Sequence, residues 1–393
     1  MWAISLSAFF ADLGYQAVLA GFPLLLVITL HQPVWEFGLA SALSYGVGAA
    51  FSFAGGRLGD RIGHRRLALT ANAAIPLLSL CALVASPVWA IGLLCGGWWA
   101  RNLRTPSRRV MLVEAVPAES DRSSAFGFLH ALDVGGGALA GVYVLVAVSE
   151  HVGFRWIFLA TVVPLGLSTL SLSRASTGRH RHAEQPTAAP GAEEPPPRGA
   201  KALLAAAALY GFTYYSVGFP VLTVAQGSGK LLAGLGAFLV LQGVSAATGY
   251  LLGGRLGSDP ASQFARLGQL GYLGAALGAV ILAIASGEHF GLPVLLVGVA
   301  VIGFGLGIVE TIEPTAMSVL RAGSQAGRGF GALSAARGVG TFIGNVVMGL
   351  LYGIGATAAY GYAALVAAAA GVIVLAAVPA LRSWQEQRED AGP

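Results

Sequence analysis

The feature that most constrains this chain is a succession of long stretches almost free of charge. Twelve such segments follow one another, near 3–29, 34–56, 67–86, 88–113, 123–148, 153–173, 201–225, 231–255, 263–286, 291–319, 329–353 and 356–381. About 20 apolar helical residues cross the roughly 30 Å hydrocarbon core of a bilayer. Only 10% of the 393 residues are charged, against about 25% in soluble domains. A soluble core cannot absorb that much apolar surface, and in lipid every spanning backbone must bond to itself, which selects helices. The 56 glycines suit helices that associate through close packing. The expectation is an all-α membrane protein of 12 transmembrane helices. The third and fourth segments meet at Ser86-Pro87 with almost no loop between them. Met1-Trp2-Ala3 leads straight into the first, without the charged n-region or cleavage site of a signal peptide. Cys81 and Cys95 fall inside segments and imply no disulfide framework.

Charge placement sets orientation. Of the 23 Lys and Arg, Arg101, Arg104, Arg108, Arg109 and Arg337 lie deep within segments, and Arg155 and Lys230 fall at segment ends of one side. The other sixteen share the opposite side with both termini. Such an excess marks the cytoplasmic face, so the expected location is the cytoplasmic (inner) membrane, multi-pass, with both termini inside. The formal charge of +5 is thus topology and not a nucleic-acid footprint. The longest polar stretch, Arg174–Arg198, carries Pro186, Pro190 and Pro195-Pro196-Pro197, a composition that cannot bury a core and reads as a disordered linker. The expected organisation is a six-helix half over 1–173, a cytoplasmic linker over 174–200, a second six-helix half over 201–382, and a short tail over 383–393.

The halves echo each other. Gly21-Phe22-Pro23 returns as Gly218-Phe219-Pro220, Gly55-Gly56-Arg57-Leu58-Gly59 as Gly253-Gly254-Arg255-Leu256-Gly257, and Phe126-Gly127 with Leu129 as Phe330-Gly331 with Leu333. Parallel repeats of this kind are a transporter architecture. The loop after the second segment reads Gly56-Arg57-Leu58-Gly59-Asp60-Arg61-Ile62-Gly63-His64-Arg65-Arg66. It resembles the signature loop of the major facilitator superfamily, G-x-x-x-D-R-x-G-x-R-R, at every defining position. The resemblance implies two pseudo-symmetric six-helix halves. It also implies a cytoplasmic gating loop in which Asp60, Arg61 and one of Arg108 or Arg109 form a latch. Independently of the resemblance, Gly56 and Gly63 would permit close approach and a tight reversal, while Arg65 and Arg66 serve topology as readily as gating. The second copy departs from the pattern, with Ser258 where Asp60 would recur. The glycine–proline element that many exporters of the family carry on helix 5 is replaced by Ala140-Gly141, which argues against a drug antiporter.

Ionisable residues at membrane depth are costly and mark functional positions. Helical spacing groups them on faces: Asp12, Tyr15 and Gln16; Arg101, Arg104 and Arg108; His130 and Asp133; Arg337, Thr341 and Asn345; Glu310 and Glu313 just before Pro314. Asp133 could equally form a structural pair with Arg101 or Arg104, and Arg108 and Arg109 could snorkel to the interface. Two neighbouring buried carboxylates cannot both ionise cheaply, so Glu310 and Glu313 lead as proton carriers, with Asp133 and His130 next. Asp12, Tyr15, Gln16, Arg101, Arg104, Tyr210, Tyr214, Arg337, Thr341 and Asn345 are the expected cavity lining.

Gly227-Ser228-Gly229-Lys230 lacks the flanking residues of a phosphate-binding loop, since Val224 replaces the first Gly and Leu231 the Ser/Thr. No metal-ligand spacing or nucleophile–base set occurs, so no cofactor and no enzymatic reaction are expected. The sequence therefore reads as a monomeric secondary transporter that moves a small solute by alternating access, with protons as the coupling ion. Efflux of an organic compound, uptake or facilitated passage of a metabolite, and a non-transporting sensor on the same scaffold remain open readings.

Overall fold

The computed structural model describes residues 1–115, 119–175, 198–213, 216–252, 259–288, 290–320 and 326–390. The described residues are predominantly helical. Helices α1 (Trp2–Thr29), α2 (Val34–Ile62) and α3 (His64–Leu83) lead to α4 (Pro87–Ala115), α5 (Glu119–Ser149) and α6 (Phe154–Ser173). There follow α7 (Arg198–Thr213), α8 (Gly218–Ser228), α9 (Leu231–Leu252) and α10 (Pro260–Gly287). The last three are α11 (Leu292–Leu320), α12 (Ala326–Ile354) and α13 (Ala356–Asp390).

Among the described residues, ten helices are long and apolar enough to cross a membrane. The two other expected segments are helical for different reasons. The fourth is one 29-residue helix, α4, whose arginines lower its hydropathy. The seventh is divided between α7 and α8, neither long enough alone. Val84 turns extended after α3 and Pro87 opens α4, so the third and fourth segments are separate helices. The linker residues 176–197, the second glycine-rich copy Gly253–Gly257, Tyr214 and Tyr215 lie outside the described residues, as do the side chains of Phe126, His130 and Phe330.

Packing divides the chain into two units, one formed within 1–185 and 217–239 and the other within 186–216 and 240–393. In the first, Ile4, Ala8, Ala68, Met111, Leu112, Leu129 and Leu172 form a core. In the second, Tyr210, Phe264, Tyr272, Ile308, Ile312, Met317 and Val374 do so. Large apolar side chains such as Trp89, Leu365 and Ile354 are exposed, the inverse of a soluble surface and the pattern that lipid requires.

Prolines and glycines shape these helices. Pro106 lies inside α4 without breaking it, and the Asn102 carbonyl freed four residues earlier accepts from Ser52 Oγ at 3.2 Å. The repeated Gly-Phe-Pro element has a repeated role. A Cβ on Gly21 would stand 2.8 Å from the Phe158 ring, and one on Gly218 would strike the Phe37 ring. Each glycine seats a phenylalanine from a neighbouring helix.

Candidate functional site

The first unit gathers the charges of α1, α4 and α5. Tyr15 donates to Asp12 within α1, and Arg101 reaches the Tyr15 hydroxyl at 3.4 Å. The Arg101 guanidinium also lies over the Trp98 ring, 4.9 Å from its centroid. Arg104, fully buried, donates through Nη1 to Asn72 of α3. Asn72 in turn donates to Ser168 at 3.2 Å and to Thr169 at 2.8 Å on α6. Arg108 pairs with Asp133 at 3.3 Å. Gln16 is half-buried beside Gly137. This polar seam exists because small residues let the helices meet: a Cβ on Gly136 of α5 would press on the Phe9 carbonyl of α1. Several polar atoms are buried without a partner, namely Asp12 Oδ2, Asp133 Oδ1, Arg101 Nε, Arg104 Nε and Nη2, and Arg108 Nε and Nη1.

The second unit holds a tighter cluster. Arg337 of α12 donates to Glu310 at 2.8 Å and to Glu313. Glu313 is fully buried and accepts from Tyr272 of α10 at 2.6 Å. The Tyr272 ring packs 4.9 Å from Tyr210 of α7, while the Glu310 side chain is 45% exposed. Helix contact through glycines fixes this geometry. A Cβ on Gly211 of α7 would lie 2.7 Å from the Arg337 carbonyl and 2.9 Å from Gly340 Cα. Thr341 and Asn345 continue the face of Arg337 and are both buried. Asn345 donates to the Thr341 carbonyl at 2.8 Å and accepts from the Ser216 backbone N–H at 2.9 Å, just beyond the end of α7.

The loop between α2 and α3 is a sharp reversal. Gly63 has φ +94°, a conformation that costs other residues energy. Close approach falls to Gly55 and Gly59 rather than Gly56. A Cβ on Gly55 would meet the Leu103 backbone and one on Gly59 would stand 2.6 Å from Ser107 Oγ, whereas Gly56 has room. Asp60 pairs with His64 at 3.2 Å, and His64 shares a hydrogen bond of 3.2 Å with Ser107. Arg65 donates at 2.7 Å to the carbonyl of Ser173, capping the C-terminus of α6 where a cation is favoured. Arg61, Arg66 and Arg109 are exposed. Of the two arginines the resemblance offers as latch partners, Arg108 turns into the bundle and meets Asp133, while Arg109 is exposed.

Sequence reasoning missed Asn72 and Tyr272. Their signal was present: a buried amide or phenol within an apolar helix must find a partner. It also missed Asp259, which caps α10 by accepting from the Ser262 N–H at 2.8 Å. That bond holds its carboxyl below the usual range.

The family model described as Major Facilitator Superfamily matches residues 4–321. The chain belongs to the major facilitator superfamily. It is a multi-pass membrane transporter of small solutes and not an enzyme. Solved structures share this major facilitator's fold at low identity. A POT family transporter in complex with a thioalcohol-conjugated peptide is 12% identical over 96% of each chain, with a TM-score of 0.79. A point mutant of the nucleoside transporter NupG is 13% identical over 97% of this chain and 99% of its own, at 0.73. The xylose transporter XylE from E. coli, in its inward-open conformation, is 12% identical over 94% of both, at 0.70. No curated protein matches the sequence.

Proposed function

We propose that this major facilitator is a proton-coupled secondary transporter of the cytoplasmic membrane, with the cluster of Glu310, Glu313, Arg337 and Tyr272 as its coupling element. The observation that carries the reading is a charge imbalance. Among the described residues, two carboxylates face one guanidinium, and Arg is always cationic. With both acids ionised the cluster holds one negative charge in excess, beside a fully buried Glu313. Leaving a buried charge uncompensated costs several kcal/mol, and one proton removes the excess. The exposed Glu310 gives that proton a path to water, while Arg337 can pass between the two acids. Alternating access would then exchange which carboxylate holds the guanidinium and which the proton. The distribution of Lys and Arg supports cytoplasmic termini, and the Pro-rich composition of 174–200 supports a linker between the two halves.

The test uses proteoliposomes. The Glu310→Gln/Glu313→Gln double variant should keep downhill exchange of a transported solute and lose its accumulation under a pH difference. Accumulation equal to that of the unaltered protein would remove the cluster from coupling.

A further inference from the structure

From the unpartnered donors of α4 we infer that the first unit contains a binding site for a small organic monocarboxylate, built on Arg104 with Arg101 and Arg108. The inference rests on the transport reading above and names the class of its substrate. Arg101, Arg104 and Arg108 recur at spacings of three and four, hence on one helix face. Arg104 lies within electrostatic reach of the other two and of Asp12. Each guanidinium uses only part of its donor set. Arg104 spends Nη1 on Asn72 and leaves Nε and Nη2 buried without an acceptor. Those two N–H groups form one edge of the planar fork, the edge that grips a carboxylate with two parallel hydrogen bonds. Arg108 spends Nη2 on Asp133 and leaves Nε and Nη1. Arg101 leaves Nε and borders the group as its half-buried member.

The neighbouring acids do not fill these donors. Asp12 and Asp133 lie close enough to interact with each other, and each keeps one buried oxygen that no guanidinium reaches. The three guanidinium groups outnumber the two carboxylates, and Arg109 adds a further cation within electrostatic reach. Orphaned charged donors are the costliest groups to bury, and a carboxylate supplies the acceptors the open edge of Arg104 lacks. The wall beside Arg101 is aromatic. Trp98 packs edge-on against Tyr15 at 5.4 Å and Tyr45 at 5.1 Å between centroids, a surface suited to an apolar body attached to the carboxylate. The second unit has the opposite balance, one Arg against two acids, and offers no such site among its described residues.

The test measures equilibrium binding to the full chain in detergent micelles, with no gradient present. The probes are benzoate, its neutral and cationic counterparts benzamide and benzylamine, and inorganic phosphate. Benzoate should bind saturably and the other three should not. Arg104→Lys, which keeps the charge but loses the two-pronged edge, should weaken benzoate roughly tenfold or more. Should that variant fail to fold, phenylglyoxal labelling of the unaltered protein, read by mass spectrometry, supplies the same answer. Benzoate should protect Arg101, the half-buried member of the group, and benzamide should not. Equal binding of benzamide or benzylamine, preference for phosphate, unchanged affinity in Arg104→Lys, or labelling indifferent to benzoate would each overturn the assignment. A failure of proton coupling in the double Gln variant's assay would leave this binding result standing, and loss of the binding result would leave coupling untouched.

Discussion

Gly211→Ala isolates what glycine contributes to the second unit. The added methyl would stand 2.7 Å from the Arg337 carbonyl and 2.9 Å from Gly340 Cα, while ordinary van der Waals contact begins near 3.4 Å. Both obstacles are main chain, so neither can rotate away. Helices α7 and α12 must therefore separate by about 0.7 Å locally, and overpacking of that kind costs about 1–3 kcal/mol. Gly243→Ala on α9 is the control, since a Cβ there meets open space. It should be neutral or stabilising by up to about 1 kcal/mol, because alanine has the higher helix propensity. The same chemical change thus carries opposite signs at two positions. Unfolding in mixed micelles with increasing dodecyl sulfate, followed by tryptophan fluorescence, would read both. The displacement also moves the backbone that carries Arg337, so Gly211→Ala should impair coupling more than binding. If Gly211→Ala proved as stable as Gly243→Ala, the backbone contact between α7 and α12 would not be a determinant of this unit.

Gly63→Ala should cost about 1–2 kcal/mol through its positive φ, with no effect from Gly56→Ala in the same unfolding assay. Asp60→Asn should preserve folding, lose the pairing with His64 and raise labelling of cytoplasmic-side cysteines; unchanged labelling would reduce the loop to a topological signal. Asp259→Ala should weaken the start of α10, at the low end of about 0.5–2 kcal/mol because the site is exposed. The carboxyl of Asp259 lies below its ordinary value when folded, so the cap is fully present above the unfolded value, about pH 4. It is lost as pH falls through the folded one, and the difference between variant and unaltered protein should close at acid pH. Reporter fusions at Gly191 and Pro393 should read cytoplasmic and one at Glu288 should read external; a cytoplasmic signal at Glu288 would refute the assigned orientation.

Helices were legible wherever apolar length alone decided them, because the bilayer thickness is a ruler. The charged faces were legible too: Arg101, Arg104 and Arg108 do share one side of α4, and Arg337 does meet Glu310 and Glu313. Partner choice was less accessible. Arg104 bonds to Asn72 and Glu313 to Tyr272, both on helices without a charge at that depth to draw attention. Arg108 prefers Asp133 over the loop acid because its position on α4 points it inward, a matter of rotation about a helix axis that hydropathy does not record. Asn345, expected as cavity lining, donates to the Thr341 carbonyl and accepts from the Ser216 backbone N–H, contacts that helical spacing does not record.

The glycine contacts also constrain how this sequence can drift. Every single-base change in a glycine codon that installs another amino acid adds at least one carbon, and at some positions that carbon strikes main chain. Such are Gly303 beneath the Leu241 carbonyl, Gly307 beneath that of Ser245 and Gly340 beneath that of Ala208. These are dead ends for one-step variation, since main chain on the facing helix cannot be trimmed to make room. Gly236, Gly243 and Gly353 border open space and can change freely. Descendants of this chain should therefore hold the first group fixed while the second wanders, so that the positions with no side chain carry the longest memory of the fold.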